Sequence, residues 1–109
     1  MINEYQIEGL KKLVNSSVIK DVYPMVDRIE FVYDTDKQNK WKHHNHLDAN
    51  IFLNDPTINS ENMYDKELDP HYLVEHHIKK YFPYFNLKDV VIDFIVWAPD
   101  DTIVTSWKH

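Results

Sequence analysis

The stretch Val90-Val91-Ile92-Asp93-Phe94-Ile95-Val96-Trp97-Ala98-Pro99-Asp100-Asp101-Thr102-Ile103-Val104-Thr105-Ser106-Trp107 decides the fold. It reads as two strands around a turn, with proline suited to the second turn position and aspartate to the third. A four-residue turn at 98–101 sets Trp97 opposite Thr102. Alternation then puts Val90, Ile92, Phe94, Val96, Ile103 and Trp107 on one face, and Val91, Ile95, Trp97 and Val104 on the other. One apolar face makes a core. The second must be covered by the rest of the chain, by another copy or by a partner.

Working back from this hairpin, Asp69-Pro70 is a strong helix start: an acidic N-cap followed by proline at the first helical position. Leu73, Val74, His77, Ile78 and Tyr81 form the apolar stripe of that helix, and Pro83 is expected to end it. Residues 2–22 repeat apolar side chains at helical spacing (Ile7, Leu10, Leu13, Val14, Val18, Val22) after Asn3 as N-cap, with a break expected near residue 16. Arg28 to Asp34 alternates, with Ile29, Phe31 and Tyr33 on one face. His46 to Leu53 does the same through Leu47, Ala49, Ile51 and Leu53. Thr35 to Trp41 reads as a hairpin loop and Asn54 to Leu68 as a polar, aperiodic connection.

The order α-β-β-α-β-β over residues 1–109 predicts a single α+β domain. We expect a two-layer sandwich whose mainly antiparallel four-stranded sheet carries both helices on one face. The opposite face would show Val32, Phe52, Val91, Ile95, Trp97 and Val104 among Arg28, Glu30, Asp48, Asn50 and Asp93. That is more contiguous apolar surface than a solvated sheet face carries.

Composition removes several function classes. No cysteine is present, so disulfides, thiolate catalysis and cysteine zinc sites are excluded. The single glycine, Gly9, excludes glycine-rich phosphate loops. No leader or membrane-length apolar run is evident, which predicts a soluble cytoplasmic protein. A formal charge of −6 disfavours nucleic acid and anionic lipid. Against it stands only a thin basic patch, Lys37 to Lys42, where Trp41 could stack a base. The acidity is local, because residues 54–75 carry Asp55, Glu61, Asp65, Glu67, Asp69 and Glu75 against Lys66 alone.

Two histidine groups are candidate ligands for a divalent metal such as zinc. His44, His46 and Asp48 alternate on one strand face, and His71 on the second helix could close the set. The helix itself carries neither His-Glu-x-x-His nor His-x-x-Glu-His. Asp65-x-Glu67-x-Asp69 opens like a calcium loop but meets Pro70 where such a loop requires glycine. The serines lie in no nucleophile motif.

The favoured expectation is a protein-binding module without a cofactor, of the inhibitor or immunity type, docking on a basic or nucleic-acid-handling protein. Phe52, Ile95, Trp97 and Val104 would anchor the contact, and Asp55, Glu61, Asp65 and Glu67 would steer approach. The alternatives are a metal-binding protein or metal-dependent hydrolase using His44, His46, Asp48 and His71, and a homodimer burying the apolar sheet face on itself.

Overall fold

The computed structural model describes residues 2–33 and 45–107, with all their side chains except those at positions 18 and 20. The first helical element, α1, runs as α-helix over Glu4–Leu13, widens to a π-helical stretch over Val14–Ile19 and finishes as α-helix over Lys20–Val22. Asn3 caps it as expected. The Asn3 side chain accepts from the Gln6 amide, and the Gln6 side chain accepts from the Asn3 amide. The break expected near residue 16 is this π-helical stretch. It coincides with Asn15, whose side chain donates to the carbonyls of Lys11 and Ile29 and accepts from the Ile29 amide at 2.8 Å. Gly9 lies against Phe85, and a β-carbon there would stand 2.5 Å from the Phe85 ring.

Strands β1 (Val26–Tyr33) and β2 (Asn45–Leu53) form an antiparallel pair. Their expected connecting loop, Thr35 to Trp41, and the Lys37 to Lys42 patch fall outside the described residues. The second helical element, α2, is built from Pro70–Tyr72 as α-helix, Leu73–Ile78 as π-helix and Lys79–Phe85 as 3₁₀-helix. Asp69 caps it through Oδ1, which accepts from the His71 and Tyr72 amides. Strands β3 (Val90–Trp97) and β4 (Ile103–Trp107) complete the sheet as the second antiparallel pair.

The sheet order is β1-β2-β3-β4, with β2 and β3 parallel at its centre. The two hairpins account for the antiparallel edges. The parallel pair follows from the long connection between β2 and β3, which contains α2 and returns the chain to the starting end of β2. The expected α+β order is therefore observed in a mixed sheet.

Both helical elements supply the core beneath one sheet face. Leu10, Val14 and Ile19 come from α1, and Leu73, Val74, Ile78 and Phe82 from α2, all within one buried cluster with the sheet. At its centre Ile29, Ile51 and Val96 lie side by side on three strands, each fully buried. The 54–68 connection is less polar in effect than its composition suggests, because Ile58, Met63 and Leu68 pin it into the same cluster. Asn59 and Asn62 turn it locally through side-chain bonds to each other's amides.

Two local expectations are corrected. Pro83 does not end α2, which continues in 3₁₀ form to Phe85 and stops at the left-handed Asn86. The terminal hairpin also takes a different register from the one a four-residue turn sets. Asp101 takes a left-handed conformation after the turn, so Ala98 donates to Thr102 and Trp97 pairs with Ile103. A one-residue slip reverses a face. Ile103 thus leaves the expected core side and stands 57% exposed beside Trp97, and a bulge shifts the pairing by one more residue, so that Thr105 pairs with Val96 and the later residues of β4 regain their expected faces.

Candidate functional site

The sheet face opposite the helices is organised in cross-strand rows. Val32, Asp48 and Asp93 form one; Glu30, Asn50, Ile95 and Ser106 form the next; Arg28, Phe52, Trp97 and Ile103 form the last. The rows differ in character. Toward the start of the parallel strands the centre of the face carries buried polar residues, Asp93 2% and His46 4% exposed, while Val32 at the β1 edge is 50% exposed. Toward the other end it is aromatic and half-open, with Phe52, Ile95 and Trp97 of intermediate burial.

The aromatic row is a continuous stack. The Arg28 guanidinium carbon lies 4.2 Å from the centre of the Phe52 ring, and the Phe52 and Trp97 rings stack with centroids 6.4 Å apart and planes inclined by 13°. Trp97 is held in place by its indole N–H, which donates to Asn50 Oδ1 at 2.9 Å. Arg28 is oriented by Asp27 at 2.8 Å and Glu30 at 3.5 Å, and Glu30 also pairs with Lys11, whose ammonium is thereby held above its ordinary pKa. Sequence reasoning found Phe52 and Trp97 but not the roles of Arg28 and Asn50. The signal was available, since both have the strand parity of that face.

No family model, curated protein or solved structure matches this chain.

The histidine candidates separate. His46 and Asp48 share the face opposite the helices, with Asp93 beside Asp48, while His44 lies outside the described residues. His71 is on the helix side, its ring 5.0 Å from Phe94 and 5.1 Å from Trp107 in edge-on geometry. The sheet stands between them. Among the described residues, no three His, Cys, Asp or Glu side chains are grouped to hold a metal ion.

The acidic candidates also divide. Asp55 follows the end of β2, where its carboxylate accepts from the Thr57 amide and hydroxyl. Asp100 does the same with Thr102 at the end of β3, and both carboxyls are held below the usual range by these bonds. Between the two turns lies a groove of about 490 Å³ whose apolar lining includes Ile58, Ile103 and Val104. Glu61 and Asp65 are exposed along the connection. Glu67 belongs to a different groove, on the helix side, with Tyr23, Tyr64, Tyr72 and His77.

In that second groove the Tyr23 and His77 rings meet edge-on at 5.5 Å, and Tyr72 contacts both His76 and His77. Burial raises the Tyr23 hydroxyl pKa, with Asp69 and Tyr72 adding to the effect. Burial lowers His77 below the ordinary value of 6.5, helped by the charges of Lys80 and His76. The folded state therefore resists protonating His77 more than the unfolded state does. Its contribution to stability is complete above pH 6.5 and is lost as the pH falls through the lowered value. Substituting His77→Gln is expected to flatten the decline in melting temperature between about pH 7.5 and about pH 5. An unchanged slope would assign that decline to other groups.

Proposed function

We propose that this chain is a protein-binding module that docks a basic partner protein through the Arg28–Phe52–Trp97 end of its sheet face. The observation that carries the reading is the stacked aromatic row, preorganised across three strands and half-open to solvent. Large rings whose rotamers are already fixed lose little entropy on association, and such groups dominate interface energies. The net charge of −6 favours a basic partner, and the carboxylates of Asp55, Glu61 and Asp65 would act at longer range. An inhibitor or immunity-type role is the form of this reading that best suits a small acidic domain with a preformed aromatic contact row.

The test is capture of interacting protein by the immobilised chain from the lysate of its source organism, compared with Trp97→Ala and Phe52→Ala at several salt concentrations. Both rings are partly exposed, so each variant should keep its circular dichroism and lose at most about 2 kcal/mol of stability. We expect at least a tenfold loss of capture in each variant (about 1.4 kcal/mol or more) and weaker capture as salt rises. Equal capture by the variants removes the aromatic row from the interface. A purified chain that sediments as a dimer, and as a monomer after Trp97→Ala, would instead assign the face to self-association.

A further inference from the structure

The helix-side groove contains a combination that the docking reading leaves unused. Its volume is about 470 Å³, and it is lined by Tyr23, Tyr64, Tyr72 and His77 with the carboxylates of Glu67 and Asp69, and by Val22 and Leu68. Three phenol rings and two carboxylates around one space form an environment for a soft organic cation. Ring faces attract positive charge through their quadrupoles, and the carboxylates supply a net charge that the rings lack. We propose that this groove binds an alkylammonium group.

Two of the three rings are held in place before any ligand arrives. Tyr23 is buried and held edge-on against His77, and Tyr72 is stacked on His76 with centroids 4.2 Å apart. Tyr64 and Tyr72 nevertheless remain more than half exposed, an arrangement that leaves ring surface available to a guest. Asp69 makes both of its helix-capping bonds through Oδ1, so its other oxygen is not engaged in the cap. Asp69 lies close enough to the groove wall to help raise the Tyr23 hydroxyl pKa. Burial disfavours the charged form of His77, so it opposes a cation less than a solvated imidazole would. Lys80, whose charge reaches His77, has its ammonium turned onto the Tyr81 ring at 4.9 Å.

Glu67 adds a local feature. It adopts a left-handed backbone with φ of 62°, after a helical turn closed by the Leu68 amide on the Met63 carbonyl. Asparagine or glycine suits that conformation better than glutamate. Replacing Glu67→Asn therefore removes the charge from the groove without harming the fold.

The same chemistry could arrive as a lysine side chain of a protein or as a small quaternary amine. Titration of the full chain with n-butylammonium and with choline, followed by NMR of the tyrosine rings, separates these sources. Stronger binding of n-butylammonium points to a lysine side chain, and stronger binding of choline to a quaternary amine. The neutral control is 3,3-dimethyl-1-butanol, which has the shape of choline without its charge. We expect saturable shifts at Tyr23, Tyr64 and Tyr72, with binding of the neutral control weaker by about tenfold or more. Glu67→Asn should weaken cation binding by about threefold to tenfold while equalling or raising the melting temperature. Trp97→Ala should leave cation binding unchanged, since that residue lies on the other face; this result is independent of whether the docking reading holds. Equal binding of the neutral control, absence of saturable shifts, or unchanged affinity in Glu67→Asn would each overturn the proposal.

Discussion

Asn15→Ala is expected to destabilise the protein by about 2–4 kcal/mol, a large effect for a side chain that belongs to no apolar stripe. Ile29 is fully buried on the edge strand β1, and its amide and carbonyl meet the Asn15 side chain rather than a neighbouring strand. Truncation leaves a buried donor and a buried acceptor without their partner, at about 1–3 kcal/mol each. It also opens an edge that Asn15 now covers, so increased self-association should accompany the loss. Urea denaturation measures the first effect and light scattering the second. A change below about 0.5 kcal/mol would mean that water substitutes for the side chain.

Ile51→Ala should cost about 2–5 kcal/mol, comparable to the whole stability of many small domains. Ile51 sits between Ile29 and Val96 in the central row, with a strand on either side and both helical elements packed over the face. The surrounding backbone is held by two ladders and cannot collapse into the space. Ile51→Val, which removes one methylene, should cost only about 0.5–1.5 kcal/mol. Chemical denaturation of the pair gives the comparison. Similar values for both variants would show that the site relaxes and that the row is less rigid than its burial indicates.

Much of this architecture was legible in the chain because it depends on local chemistry. Asn3 and Asp69-Pro70 marked both helix starts, since a cap is a bond between neighbours in sequence. Alternation in residues 28–34 and 46–53 gave the core face of each strand. The expected weakness near residue 16 is the π-helical stretch. What was missed depended on distant contacts or on a single backbone torsion. The left-handed Asp101 shifted the hairpin register and moved Ile103 to the other face. The 54–68 connection looked polar because its three buried anchors, Ile58, Met63 and Leu68, follow no regular period.

For the candidate sites the division is similar. Periodicity alone placed Phe52, Ile95 and Trp97 on one face and set His46 and Asp48 together. Only the assembled sheet added Arg28 to the stack and put His71 on the opposite side from His46. Only the packing of α2 against the end of α1 and the 64–69 segment gathered Tyr23, Tyr64 and Tyr72 around one groove. Sequence by itself determined the elements, their order and, outside β4, the buried faces of the strands, because backbone geometry converts residue spacing directly into orientation. Tertiary structure decided which side chains meet, because contacts between residues far apart in the chain depend on strand order, register and helix position, and no local period encodes these.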